Sequence, residues 1–416
     1  MKYLMKEVTG KMGIINNSDN NTLNSVPSGN RVHIGFFGKR NSGKSSLMNA
    51  FAGQSISIVS STLGTTTDPV TKTMEINGIG PCVLIDTAGF DDVGELGELR
   101  IQKTKGIVAK IDIAVLLFFQ NDIDEEMRWL RLFQDKNIPT LLIISKSDIN
   151  PNIDYIRSEI KKNTDILPDL ANIYDQDSIS GLKKSIISLA NSVQVDKTIL
   201  NNLVQSNDVV LLVMPQDVQA PKGRLILPQV QTIRELLDSH CITISVTKEE
   251  YISSLKLLKD SPKLIITDSQ IFPFVYENKP EKALLTSFSV LFAAYKGDII
   301  YYIKSVKTLD RLAPDSNILI AEACTHAPLT EDIGRIKIPK LLRKKIGESI
   351  TIDIVNGNDF PQDLTKYDLI IHCGACMFNR KHVLYRIEEA KEQNVPMTNY
   401  GILIAYLSSI LEKVVF

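Results

Sequence analysis

Residues 32–53 read VHIGFFGKRNSGKSSLMNAFAG, and this stretch sets the architecture of the chain's first part. VHIGFFG is an unbroken apolar run of strand length, and SLMNAFAG places apolar residues at helical spacing. Between them GKRNSGKS, Gly38 to Ser45, fits G-x-x-x-x-G-K-[ST]. A loop held between a strand and a helix N-terminus aims backbone N–H groups at phosphate oxygens. Lys44 can then neutralise charge on the outer phosphates, and Ser45 can ligate Mg²⁺. Gly38, Asn41, Ser42, Gly43, Lys44, Ser45 and Ser46 are therefore the expected phosphate-contacting set. A chance Gly-rich turn would lack the flanking strand and helix.

Working outward, CVLIDTAG, IAVLLFF and TLLIISKSD repeat the strand pattern, each followed by a helical or loop segment. Residues 31–196 thus read as a mostly parallel sheet covered on both faces. A second alternating block, 197–285, carries strands VVLLVMP, CITISVT and KLIITDS with helices over LPQVQTIRELLDSH and EEYISSLKLLKD. The third, 286–416, is introduced by a helix expected over EKALLTSFSVLFAAYKG. It has strands NILIAEA, SITIDIV and YDLIIH and helices over PKLLRKKIG, KHVLYRIEEAKEQN and GILIAYLSSILEKV. The fold class is α/β in three domains, each a mostly parallel sheet with flanking helices. A tail, residues 1–30, is rich in Asn, Ser and Gly and reads as flexible.

The totals agree with that division, since 416 residues exceed what one hydrophobic core usually supports. The 47 basic residues nearly cancel the 48 acidic ones, so a net charge of −1 offers no general attraction to nucleic acid or anionic membrane. No apolar run reaches signal-peptide or membrane-span length, and the cytoplasm is the expected compartment. Thiols stay reduced there. Five cysteines, two of them in a Cys-x-x-Cys, then point to metal or redox chemistry before disulfides.

DTAG, Asp86 to Gly89, closes a strand and offers a carboxylate to the Mg²⁺ shell and a backbone N–H, at Gly89, to a terminal phosphate. In SKSD, Ser145 to Asp148, the carboxylate of Asp148 can accept two hydrogen bonds from a guanine edge while Lys146 covers the ring. These elements in this order resemble the translation-factor-related GTPases, in the branch of the tRNA-modification and Era-like GTPases. The resemblance implies GTP over ATP. It also implies that GTTTDPV, Gly64 to Val70, is the first switch, with Thr65 or Thr66 completing the Mg²⁺ shell, and that Asn41 helps hold a K⁺ ion. Lys44, Thr66, Asp86 and Gly89 become the catalytic set. Ser145 departs from the usual Asn, which weakens that contact. Phe90 stands where Ras-like relatives place a water-positioning Gln, so intrinsic hydrolysis is expected to be slow, with K⁺ in place of an arginine finger.

Far along the chain EACTHAP supplies Cys324 and His326, and HCGACMFNR supplies His372, Cys373 and Cys376. The pattern is Cys-x-His, residues 327–371, then His-Cys-x-x-Cys. Cys324 follows the strand NILIAEA and Cys373 follows YDLIIH, so both fall at carboxyl ends of strands, where open α/β sheets bind ligands. Spacing alone leaves an iron–sulfur cluster, structural zinc and a dithiol pair open. Cys82 and Cys241, in apolar strands, read as packing residues, and His382 as an ordinary helix residue.

APKGRLILPQVQTIRELLD and ITDSQ in the middle block, with EACTHAP, DIGRIKIP, DFPQDL and IIHCGACMFNR in the last, resemble the [FeFe]-hydrogenase maturation GTPase family from about residue 31 to the C-terminus. That resemblance implies a GTPase domain, a dimerisation domain and a domain holding a [4Fe–4S] cluster on Cys324, Cys373 and Cys376, with His326 or His372 near the fourth iron. It implies a cargo, the two-iron precursor of the hydrogenase active site. The implied partners are radical-SAM maturases, the apo-hydrogenase and a second copy of the chain. A rival from another class is a ribosome- or tRNA-associated GTPase with a C-terminal zinc module. It would need a basic, aromatic-studded surface that the composition does not supply.

Overall fold

The computed structural model describes residues 31–53, 70–90, 104, 106–193, 198–215, 225–323, 333–357 and 359–416. Its first sheet runs β2-β3-β1-β4-β5-β6, built from β1 (Val32–Gly38), β2 (Val70–Ile76), β3 (Gly80–Asp86), β4 (Ile113–Phe118), β5 (Thr140–Ser145) and β6 (Asp169–Ala171). All pairs are parallel except β2 with β3. Every residue of β4 is fully buried, as an unbroken apolar run between two helical layers requires. β2 alternates exposed and half-buried residues because it is the edge. This is the P-loop arrangement, with Gly38, Asp86 and Ser145 together at the carboxyl ends of β1, β3 and β5.

Two four-stranded, all-parallel sheets follow. One has the order β10-β9-β7-β8, from β7 (Val209–Val213), β8 (Ile242–Val246), β9 (Leu264–Thr267) and β10 (Leu284–Ser287). The other has the order β12-β11-β13-β14, from β11 (Asn317–Glu322), β12 (Thr351–Asn356), β13 (Leu369–His372) and β14 (Met397–Asn399). One apolar cluster runs through both sheets, from Leu211 and Ile265 to Ile320, Ile371 and Leu403, so these two units share a core.

The segment EKALLTSFSVLFAAYKG is not one helix. Leu284–Ser287 is the strand β10, and the helix is Phe288–Lys296. A segment as short as LLTS fits either state, and the break falls at Ser287, whose hydroxyl accepts the Val290 N–H at 3.3 Å as a helix N-cap. GILIAYLSSILEKV is likewise divided. Its helix, Tyr400–Leu407, ends before Ser409, which takes a left-handed φ of 57°. Among the described residues no helix is long and apolar enough to cross a membrane.

The first and third units touch through the start of the helix Arg380–Glu392. The Asn379 side chain caps that helix by accepting the His382 N–H (3.1 Å), while its amide nitrogen donates to the Lys110 carbonyl (2.7 Å) and to Asp112 Oδ2 (3.2 Å). Lys381 Nζ donates to the carbonyls of Lys136 (2.9 Å) and Asn137 (3.3 Å), where the helix Asp124–Asp135 ends. A cation at that negative dipole end is a favourable contact. These contacts reach the amino-terminal edge of the first sheet, opposite the phosphate loop, because Asp112 precedes β4 and bonds the N–H of His33 early in β1.

Candidate functional site

Gly38, Gly43 and Asn41 take φ of 152°, 91° and 60° in the phosphate loop. A Cβ on Gly38 would lie 2.7 Å from Ser42 Oγ and 2.9 Å from the Leu117 carbonyl, so glycine is required there. The loop borders an open cavity of about 340 Å³ lined by Asn41, Gly43, Lys44, Ser45, Ser46 and Lys146. Lys44 is buried, its Nζ donating to the Gly38 (2.9 Å) and Lys39 (2.8 Å) carbonyls of its own loop. Ser45 Oγ donates to Asp86 Oδ2. The other oxygen, Asp86 Oδ1, is buried with no hydrogen-bond partner among the described residues, and burial pushes this carboxyl upward against the opposing pull of Ser45, Lys44 and Lys72. A hydroxyl and a desolvated carboxylate with a vacant lone pair are the donor set of a hard cation, and they fit Mg²⁺.

Ser145, which stands where the related GTPases usually have Asn, braces the phosphate loop. Its hydroxyl donates to the Ser42 carbonyl at 2.7 Å, tying β5 to the phosphate loop. Thr87 ties DTAG to β1 through the Phe36 carbonyl (2.7 Å). Lys146 has a φ of 52° and its Nζ lies 4.2 Å from the Phe119 ring centroid, while Asp148 is exposed beyond β5. Thr65 and Thr66 lie outside the described residues, as do Cys324 and His326.

Phe90 is 5% exposed and stacks on Trp129, the chain's single tryptophan, with ring centroids 5.2 Å apart. Its ring is core, so it cannot orient a water. On the Trp129 helix Glu126 is 1% exposed and 3.5 Å from Lys39 Nζ, which also donates to Asp122 Oδ2 at 3.1 Å. Burial pushes the Glu126 carboxyl up to about 7, Lys39 offsetting only part of it. The native state therefore keeps a proton that the unfolded chain releases near its ordinary value of 4.5. Stability from this residue is full below that value and is lost as pH rises to about 7, on the order of 3 kcal/mol in all. Glu126→Gln is expected to flatten this pH dependence in denaturant unfolding followed by Trp129 fluorescence. An unchanged profile would refute the assignment.

In the third sheet β11 and β13 pair in parallel, with Ala321 opposite His372, and the strand order reverses between them. Their carboxyl ends form the crevice in which open α/β sheets hold ligands. Cys373 lies there, its Sγ accepting the N–H of Ala323 (3.0 Å), the residue before Cys324, and of Ala375 (3.4 Å). Ala375 takes a left-handed φ of 51°, turning the chain back toward Cys376, and a Cβ on Gly374 would meet nothing within 4 Å. Backbone N–H groups aimed at sulfur, and open space at the loop's crown, suit a thiolate-held group. Among the described residues no three His, Cys, Asp or Glu side chains converge as a metal site.

His372, expected as a candidate cluster ligand, has both ring nitrogens engaged in this structure. It is fully buried, with Nδ1 2.8 Å from the Cys373 carbonyl and Nε2 2.9 Å from Arg386 Nη1. Guanidinium only donates, so Nε2 accepts, Nδ1–H donates, and no lone pair is left for iron. His382 is buried and stacked on Phe378, with burial pushing it down to about 2. Two residues that pattern reading passed over stand beside the cysteines. They are Lys296, ending a helix in the apolar run FSVLFAAYK, and Arg386, inside an ordinary amphipathic helix. Lys296 is 79 residues from the Ala375 carbonyl it binds, and no local signal joins them.

The first sheet with its phosphate loop and Mg²⁺ donor pair defines a P-loop GTPase domain, and residues 33–146 match the family described as 50S ribosome-binding GTPase. Residues 199–297 match the Hydrogen maturase F dimerization domain, and 300–416 the Hydrogen maturase F tetramerization domain. The chain belongs to the hydrogen maturase F family. A tRNA modification GTPase MnmE from Endomicrobium trichonymphae is 38% identical over 141 residues, 32% of this chain and 31% of that protein. Its counterpart from Moorella thermoacetica is 35% identical over 167 residues, 39% of this chain and 34% of that protein. The chain spans about a third of the length of these curated relatives. The crystal structure of a probable GTP-binding protein engB aligns at 18% identity over 39% of this chain and 100% of that one, with a TM-score of 0.33.

Proposed function

We propose that this chain is a GTP-hydrolysing scaffold that carries a [4Fe–4S] cluster on Cys324, Cys373 and Cys376 and assembles or delivers the two-iron precursor of the [FeFe]-hydrogenase active site. The observation that carries the reading is the Cys373 sulfur, set in the crevice between β11 and β13 with two backbone N–H groups aimed at it, one from the residue before Cys324. Three thiolates would hold the cluster and leave one iron open to an exchangeable ligand, with His326 nearby in sequence. Bound there, the cluster supplies a one-electron centre and an attachment point for the precursor. The cytoplasm, radical-SAM maturases, the apo-hydrogenase and further copies of the chain complete the reading. The matched dimerization and tetramerization families support the last of these. The proposed division is a tail at 1–30, a GTPase domain at 31–196, a dimerisation domain at 197–285 and a cluster domain at 286–416.

Anaerobic reconstitution with ferrous iron and sulfide tests it. A brown protein with near-stoichiometric cubane iron and sulfide, and an EPR signal on reduction, is expected. A colourless protein that takes up zinc alone would overturn the cluster assignment and favour the ribosome-associated rival, which the name of the family matched at residues 33–146 supports.

In the nucleotide site Lys44 would neutralise phosphate charge, and Ser45, Asp86 and Thr66 would hold Mg²⁺. Gly89 would donate its N–H to the terminal phosphate, with Thr65 nearby, and Asp148 and Lys146 would read guanine. With Phe90 buried, transition-state charge must be met otherwise. Asn41, exposed on the phosphate loop, would hold K⁺. Turnover is expected to be about tenfold faster in K⁺ than in Na⁺, about 1.4 kcal/mol of barrier, and Asn41→Ala should abolish the difference. Equal rates in the two salts would count against the ion.

A further inference from the structure

We propose that Lys296 and Arg386 are the buried counter-charges of an anionic group on the Cys373–Cys376 loop, holding the loop in shape and favouring the reduced state of that group. The inference rests on the cluster reading and adds two residues, on different elements, that the cysteine pattern does not contain.

Lys296 is 2% exposed at the end of the helix Phe288–Lys296. Its Nζ donates to the carbonyls of Ala375 (2.9 Å) and Phe378 (2.8 Å) and lies 3.4 Å from that of Cys376. An ammonium has three N–H donors, and all of them go to the loop that bears the two thiols. Arg386 is 1% exposed. Nη1 donates to His372 Nε2 at 2.9 Å, Nη2 donates to the Gly357 carbonyl, and Nε has no hydrogen-bond partner among the described residues. The guanidinium carbon sits 4.7 Å from the ring centroids of both Phe360 and Phe378.

Among the described residues no carboxylate pairs with either cation. Carbonyls and aromatic faces solvate a charge without cancelling it, so two uncompensated cations in one buried place are unfavourable unless an anion joins them. Both hold the segment that bears the thiols: Lys296 reaches the carbonyls of Ala375, Cys376 and Phe378, and Arg386 bonds His372, the residue before Cys373. Three thiolates around an oxidised cubane leave one net negative charge, and one added electron leaves two. The pair of cations therefore matches the reduced state. A zinc ion held by two thiolates and two imidazoles would be neutral and would need neither.

The test reconstitutes the full-length chain anaerobically as wild type, Lys296→Met, Lys296→Arg and Arg386→Gln. Iron and sulfide are assayed, and the cluster is titrated with dithionite under EPR, so that one electron passes from dithionite to the cluster. Lys296→Met and Arg386→Gln are each expected to keep iron while shifting the oxidised-to-reduced ratio at fixed potential at least tenfold toward oxidised, about 59 mV for one electron. Lys296→Arg, which keeps the charge, should stay near wild type. Variants that load fully with unmoved potentials, or Met and Arg variants that shift equally, would overturn the counter-charge role while leaving the cluster reading intact. If Lys296→Met does not fold, Arg386→Gln decides alone. A wild type that takes up no iron or sulfide overturns the cluster reading and this inference with it.

Discussion

Lys44→Ala is expected to lower GTP turnover by roughly 10²-fold or more while iron loading stays at the wild-type level. Lys44 Nζ is held on the Gly38 and Lys39 carbonyls at the mouth of the phosphate cavity, where it can turn from them to the charge of an incoming nucleotide. Alanine leaves two carbonyls that water can reach from the cavity, so the loop should persist without its cation. The cysteine loop should not register the change. The GTPase sheet meets the third unit through Asn379 and Lys381 at its amino-terminal edge, whereas the phosphate loop is at the carboxyl end of β1. Phosphate release and iron analysis on the same preparation check both halves. Loss of iron from a folded Lys44→Ala protein would contradict the modular reading.

What the sequence made legible follows from how local each signal is. VHIGFFG, IAVLLFF, NILIAEA and YDLIIH could be read as strands because each is an apolar run between turn signals, and each contains a strand of the structure. β6 and β14, three residues each, and the edge strand β2 carry too little periodicity to register, and β10 was absorbed into the helix that follows it. The phosphate loop was legible because one contiguous motif contains its chemistry. The bracing role of Ser145 was not legible, because its partner, the Ser42 carbonyl, is a backbone atom 103 residues away that no side-chain pattern encodes. His372 stood out in the sequence by adjacency to Cys373. Only the fold shows that Arg386, one helix later, occupies its second nitrogen.

Cys373→Ser and Cys376→Ser should each cut iron content to below about a tenth of wild type, since even supporting residues around a metal cost 10–100-fold in affinity when lost. Serine is nearly isosteric, and at position 373 its oxygen can still accept the Ala323 N–H that now points at Cys373 Sγ from 3.0 Å. The loop should keep its turn at Ala375 and its clasp by Lys296, because those contacts are made by backbone atoms. What serine cannot supply near neutral pH is a soft anionic ligand, so the loss should report ligation and not misfolding. His372→Ala makes the contrasting case. It removes a ring that bridges the Cys373 carbonyl and Arg386, leaving a buried guanidinium short of an acceptor, and it is expected to lower stability and alter the EPR spectrum while retaining iron. Iron and sulfide analysis with EPR of the reduced proteins separates the two behaviours. A Cys373→Ser protein with full cluster, alongside a folded His372→Ala protein with none, would reverse the ligand assignment and make the imidazole, not the thiolate, the group that holds the metal.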